Sequence, residues 1–209
     1  MRTIGAVILA AGGSSRFGQP KQLLSWRGET LIRRAVRAAS EARCDPVIVV
    51  AGETSGTLRF QLDIRESRIS SSRAPGNAAQ IIVIKNAKWR NGLGTSIRRG
   101  LEQLAGSVEA AVFLTCDQPY VDASIVKKLI AEREKTGKPI VASSYANTLG
   151  VPALFDCSLF KELRALPDNL GAKALIEERA NEVASIEFEG GAADIDTPED
   201  FKRLDEIRG

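Results

Sequence analysis

Apolar and largely β-branched runs recur along the first two thirds of the chain, at Ile4–Ala10, Pro46–Ala51, Ala79–Ile84, Ala110–Thr115 and Pro139–Ser143. Each run is continuous rather than alternating, the pattern of a strand covered on both faces. The segments between them read as helices. From Thr30 to about Ala42, Leu31, Ala35, Val36 and Ala39 share one face, while Arg33, Arg34 and Arg37 share another. Thr95–Leu104 and Asp122–Lys135 repeat this amphipathic spacing, and each opens on a capping-type residue. Such alternation predicts right-handed crossovers and a mostly parallel sheet with helices on both sides. The last third is less regular. Val151–Phe155 and Val183–Phe188 read as strands, Ser158–Leu166 and Ala172–Ala180 as helices, and Thr197-Pro198-Glu199-Asp200 as a helix start. The polar stretch Ser67–Ala78 reads as a solvated connection.

The pattern defines an α/β fold class, a single three-layer Rossmann-like domain over residues 1–209 with a mostly parallel sheet. Sheets of this kind bind ligands at the carboxyl ends of their strands. A net charge of +3, spread along the chain, gives no argument for nucleic-acid or membrane partners, and no apolar run is long enough to span a bilayer. With no separate targeting region at the start, the reading is cytoplasmic. Cys44, Cys116 and Cys157 are odd in number and far apart, so they read as reduced, small buried side chains. The sequence contains no histidine, which excludes serine and cysteine hydrolase triads, histidine-ligated zinc and histidine acid–base catalysis. Chemistry here must run on carboxylates, lysine, arginine and backbone amides, with or without a hard metal ion.

The first strand runs into LAAGGSSRFGQPKQLL, Leu9 to Leu24. A glycine-rich turn between strand and helix aims backbone N–H groups at an anion. Gly13 and Gly18 mimic the opening of a P-loop, but Gln19 and Pro20 stand where Lys and Ser/Thr are required. The adjacent Gly12 and Gly13 also break the dinucleotide-binding glycine pattern. A tight turn alone would explain the glycines. Arg16 and Lys21 add two fixed cations to that set of amides, and together they suit a nucleoside triphosphate.

These residues resemble the signature loop of the molybdenum-cofactor nucleotidyltransferases, the MobA-like group of the nucleotidyltransferase superfamily. The resemblance implies a triphosphate cradle formed by Gly12, Gly13, Ser14 and Ser15, with Arg16 and Lys21 on the phosphates and Leu9, Ala10 and Ala11 near the base. Ala11 and Phe17 are similar to the cytidylyltransferase branch, which implies CTP rather than GTP.

Asp117, in VFLTCDQP, ends a buried strand at the edge where ligands bind. Capping the next helix would be the plain role of such a residue. A triphosphate site, however, needs a divalent cation, and Mg²⁺ prefers one or two carboxylates plus phosphate oxygens. The CDQP segment resembles the metal-binding stretch of the cytidylyltransferase branch, and ADIDTPEDFKRL its closing motif, which implies Asp196 as a second ligand of Mg²⁺, or of Mn²⁺ in its place. Asp194 is the alternative ligand. Asp196 and Thr197 read equally well as the cap of the last helix.

NAKWRNGLGTSIRRG reads as a second backbone-lined pocket for base or ribose, and it matches the family motif at Asn86, Trp89, Gly92, Gly94, Ser96 and Ile97, with Ala87 and Leu93 departing from it. Gly94 and Ser96 are the nucleotide contacts so implied, whereas Trp89 reads as core. LGVPALFDCSLF and DNLGAKALI resemble the pterin-side elements, implying acceptor contacts at Gly150, Pro152 and Gly171. There, Asn169 replaces the usual Asp and Lys173 the usual Arg.

The expected activity is transfer of CMP from CTP to the terminal phosphate of molybdopterin, with a molybdenum hydroxylase as client of the product. An acceptor phosphate is already anionic, so no general base is needed, in keeping with the absent histidine. Alternatives are a sugar or polyol phosphate acceptor, a guanylyltransferase, and a protein that binds and delivers the cofactor without turnover.

Overall fold

The computed structural model describes residues 3–12, 17–63, 79–104, 106 and 108–204. Gly13, Ser14, Ser15 and Arg16, and the connection expected at Ser67–Ala78, lie outside the described residues.

The order of elements is β1 (Ile4–Ala10), β2 (Ser25–Trp26), β3 (Glu29–Thr30), α1 (Leu31–Glu41), β4 (Val47–Ala51), α2 (Ser55–Gln61), β5 (Ile81–Lys85), α3 (Leu93–Leu104), β6 (Ala110–Thr115), α4 (Ala123–Thr136), β7 (Ile140–Tyr145), β8 (Thr148–Asp156), α5 (Phe160–Ala165), α6 (Ala172–Glu178), β9 (Val183–Glu187) and α7 (Pro198–Arg203). Seven strands form one sheet in the order β5-β4-β1-β6-β8-β7-β9, and β2 with β3 make a small separate ribbon. Four neighbouring pairs run parallel, while β8 is antiparallel to both β6 and β7. The class is therefore the expected one: α/β, three layers, mostly parallel.

Both faces of the sheet are covered. Ile32, Ala35 and Ala39 of α1, with Val126 and Leu129 of α4, pack against one face. Ile97, Leu101 and Leu104 of α3, with Leu163 of α5 and Leu175 of α6, pack against the other. Each of the Ile, Leu and Val side chains among them stabilises the fold by about 1.5–3 kcal/mol relative to exposure. Thr30 caps α1 by accepting from the Arg33 N–H, and Asp122 caps α4 by accepting from the Ser124 and Ile125 N–H groups.

Several boundaries move for physical reasons. α3 begins at Leu93, two residues before the capping residue expected at Thr95. The Thr95 hydroxyl lies inside the helix and donates to the Gly92 carbonyl at 2.8 Å. The expected strand Val151–Phe155 is the second half of the longer β8, which pairs with β7 through a turn at Ala146 and Asn147, both left-handed. Cys157 is exposed rather than buried, whereas burial pushes the Cys44 and Cys116 thiols up to about 12.

Candidate functional site

Parallel pairing of β1 with β6 sets Leu9 beside Thr115, so the chain leaves both strands at the same edge. A short helical turn, Lys21–Leu23, follows the loop after β1. From it, the Lys21 ammonium donates to Asp117 Oδ2 at 2.6 Å, to Asp196 Oδ1 at 3.2 Å and to the Ile195 carbonyl at 3.3 Å. Residues 96 and 175 positions away in sequence thereby meet one cation. Burial works to lower the Lys21 pKa, but the charge and hydrogen bond of Asp117 outweigh it and the net shift is upward. The ammonium is thus firmly protonated.

Ile195 anchors the second carboxylate. Its side chain is fully buried among Leu24, Trp26, Leu31 and Leu204, and its N–H donates to the Asp117 carbonyl at 3.0 Å. The α7 capping box, in which Thr197 and Asp200 exchange side-chain and backbone hydrogen bonds, fixes the residues that follow. Asp200, not Asp196, is the acidic member of that cap. Asp194 flanks the same point. Its carboxyl is pushed up to about 6, by burial of its carboxyl end first and by the charges of Asp117 and Asp196 next.

Gln22, which the sequence reading passed over, is almost fully buried. Its Nε2 donates to the carbonyls of Ala10 and Gly12 at 2.8 and 3.0 Å, holding the first residues of the loop by their backbone. Leu9, Ala10 and Ala11 are buried, and Ala11 and Gly12 reach a cavity of about 350 Å³, also lined by Pro20, Gly52, Glu53 and Trp89. That volume suits a small ligand. Trp89, read as core from sequence, is a half-buried wall of this cavity, with the Arg90 guanidinium 4.5 Å above its ring. The Lys85 ammonium first, then the Trp89 indole, hold the Glu53 carboxyl below its usual range. Phe17 turns instead toward the apolar cluster around Trp26 and Ile195.

The other expected contacts have structural neighbours of their own. Ser96 is buried and accepts from Asn86 Nδ2 at 3.0 Å, and the Gly94 N–H donates to the Asp168 carbonyl. Gly150 and Pro152 lie on β8 beside Tyr145, whose hydroxyl donates to the Val151 carbonyl at 3.1 Å. Gln118, next to Asp117, donates to the carbonyls of Val151 and Gly191, tying β8 and the late chain to the carboxylate edge. Gly171 stands at the start of α6 under the Leu93 side chain.

Asp117 and Asp196 already converge on one positive charge. Two hard oxygen ligands so aimed fit a divalent cation that completes its shell with phosphate oxygens and water. Among the described residues, no group of three or more His, Cys, Asp or Glu side chains could hold an ion alone.

The fold and this edge define a nucleotidyltransferase. The chain belongs to the MobA-like NTP transferase family, whose sequence model matches residues 6–183. It is 26% identical, over 96% of its length, to the molybdenum cofactor cytidylyltransferase of Escherichia coli strain K12, of which it covers 95%. Over the same share it is 24% identical to the nicotine blue oxidoreductase of Paenarthrobacter nicotinovorans, covering 96% of it. It is 25% identical over 68% of its length to a probable molybdenum cofactor guanylyltransferase of Bacillus cytotoxicus, and spans 62% of that protein. A crystal structure of Rv0371c from Mycobacterium tuberculosis H37Rv matches with a TM-score of 0.77 at 26% identity, 98% of each chain being covered. The complex of Rv0371c with manganese matches at 0.73 and 25%, again over 98% of each chain. Among the described residues, no helix is long and apolar enough to cross a membrane.

Proposed function

We propose that the protein transfers CMP from CTP to the terminal phosphate of molybdopterin, with release of pyrophosphate, in the presence of Mg²⁺ or Mn²⁺, and that a molybdenum hydroxylase receives the product. The observation that carries this reading is the Lys21 ammonium shared by Asp117 and Asp196 beside the loop that follows β1. CTP is favoured by Ala11 and Phe17 and by similarity over nearly the full length to a cytidylyltransferase.

Asp117 and Asp196 would hold the metal, which supplies charge neutralisation on the nucleotide phosphates. Lys21 would then have the phosphates as its partners in place of the two carboxylates, and Arg16 would stabilise the departing pyrophosphate. An acceptor phosphate oxygen forms a bond to the α-phosphorus, the bond from that phosphorus to the bridging oxygen breaks, and pyrophosphate leaves with the electron pair. No proton has to be removed from the nucleophile. The work of the chain is positioning and electrostatic neutralisation, for which no histidine is required. Gly12, with Gly13, Ser14 and Ser15, offers backbone N–H groups to the triphosphate. Leu9, Ala10 and Ala11 border the base, Gly94 and Ser96 support the nucleotide side, and Gly150, Pro152 and Gly171 the acceptor side.

The test is pyrophosphate release from CTP, GTP and ATP with Mg²⁺ and molybdopterin. Release from CTP alone supports the reading, and release from GTP reassigns the nucleotide. Release only with a sugar or polyol phosphate reassigns the acceptor. Tight binding of the cytidine form of the cofactor with no pyrophosphate formed replaces catalysis with delivery.

A further inference from the structure

The turn that opens α3 and the connection between α5 and α6 are built as one contact. The Gly94 N–H donates to the Asp168 carbonyl at 2.9 Å. Gly92, at φ +131°, and Gly94 both face this connection so closely that a Cβ on either would overlap the carbonyl oxygen of Asp168 or Pro167. Asn91 Nδ2 reaches Asp168 Oδ2 at 3.4 Å. From the next turn of the same helix, Arg98 spreads its guanidinium over three oxygens. Nε donates to the Arg164 carbonyl at 2.9 Å, Nη2 to the Leu166 carbonyl at 2.9 Å and Nη1 to Asp168 Oδ1 at 3.0 Å. The planar fork of arginine matches such a set, and the single ammonium of lysine does not.

The two sides of this contact are held unequally. The α3 turn has its own frame: Asn86 Nδ2 donates to Thr95 Oγ1 and Ser96 Oγ, the Asn86 N–H donates to the Ala51 carbonyl, and Thr95 donates to the Gly92 carbonyl. The connection carries short local bonds, Leu170 N–H to the Pro167 carbonyl and Ala174 N–H to the Gly171 carbonyl. Its long-range hydrogen bonds come chiefly through Arg98 and the Gly94 N–H, with Asn91 on Asp168 and Arg164 Nη2 on the Leu101 carbonyl at 3.2 Å beside them. Leu170, and Leu93 against Gly171, are left partly exposed at its tip.

We propose that Arg98 is a positioning residue for the acceptor: it clamps residues 164–168 so that the Leu170–Gly171 tip stands at a fixed place relative to the nucleotide-side turn. This rests on the functional reading above for the roles of the two sides, while the clamp itself rests on the contacts just given. Removing Arg98 frees the acceptor side and leaves the self-supported nucleotide side in place.

The experiment compares Arg98→Ala and Arg98→Lys with the unchanged protein, using CTP, Mg²⁺ and molybdopterin. In both variants the acceptor KM should rise by about tenfold or more, the scale of losing a charge-assisted hydrogen bond, with the KM for CTP within about twofold. Lysine should not rescue, because one ammonium cannot satisfy three spread oxygens. Amide hydrogen exchange reads the clamp without turnover: the Gly94 and Leu170 amides should exchange about tenfold faster or more in Arg98→Ala, while the Asn86 amide stays unchanged. An unchanged acceptor KM, an equal rise in both KM values, full rescue by lysine, or unchanged exchange at Gly94 and Leu170 each overturns the proposal. If the unchanged protein releases no pyrophosphate with any nucleotide, the acceptor role falls with the functional reading, and exchange still decides the clamp.

Discussion

The two carboxylates on Lys21 reach it from regions of opposite character. Asp117 lies two residues beyond the end of β6, a strand buried on both faces in the middle of the sheet, and its side chain is 22% exposed. Asp196 comes from the irregular chain beyond β9, with its side chain 60% exposed and its place set by Ile195 on one side and the α7 cap on the other. One carboxylate is therefore fixed by the sheet and the other is held by a plug and a cap. In the reaction proposed above, a site that takes up a metal and a triphosphate and then releases pyrophosphate would gain from this division. The rigid carboxylate sets the position, and the loop carboxylate can adjust with small movements of its surroundings.

If that contrast is real, Asp117→Asn should be the most damaging change, lowering pyrophosphate release by about 10²–10³-fold, the scale of losing one preorganised electrostatic contact. A Mg²⁺ titration of the variant checks it, and an unchanged midpoint would remove Asp117 from metal binding. Lys21→Ala should cost at least about a hundredfold in rate by the same reasoning. Near-normal turnover would take Lys21 out of the mechanism. Asp196→Asn should lie below both, at about tenfold, because water can replace an exposed ligand on an ion such as Mg²⁺. A loss equal to that of Asp117→Asn would break the comparison.

Ile195→Ala tests the plug. Emptying a fully buried site should destabilise the fold by about 2–5 kcal/mol in denaturant unfolding. Its activity loss should resemble that of Asp196→Asn rather than that of Asp117→Asn. The smallest effect concerns Asp194. Its carboxyl is pushed up to about 6 in the folded state, above the ordinary aspartate value, so the folded protein holds that proton more tightly than the unfolded chain. Stability from this group is present at low pH and is lost as pH rises through about 6. Asp194→Asn should therefore raise Tm relative to the unchanged protein at pH 7 more than at pH 4. Solvent contact at this exposed residue keeps the difference modest. The same gain at both pH values would refute the shift.

Much of the first region was legible because its chemistry lies next to its strands. Continuous apolar runs marked β1, β4 and β6, and a loop or acid immediately after a parallel strand falls at the ligand edge. Trp89 was misplaced because an aromatic residue in a helical turn looks the same from sequence whether it fills a core or lines a cavity. The hairpin β7–β8 escaped because its turn, Ala146-Asn147, carries no glycine, and the usual Asn-Gly or Asp-Gly signal is missing. Gln22 escaped because its partners are backbone carbonyls, which leave no trace in residue type.

The sequence by itself determined the alternation of elements, a chemistry without histidine, and Asp117 at the edge where a central strand ends. Local pattern suffices for these, since each depends on residues close together in the chain. Tertiary structure alone decided that Lys21 bridges Asp117 to Asp196, that Ile195 seats the second acid, and that Arg98 joins the α3 turn to residues 164–168. These contacts span 66 to 175 residues, and only the sheet order and the packing of both its faces bring such distant segments within hydrogen-bonding distance.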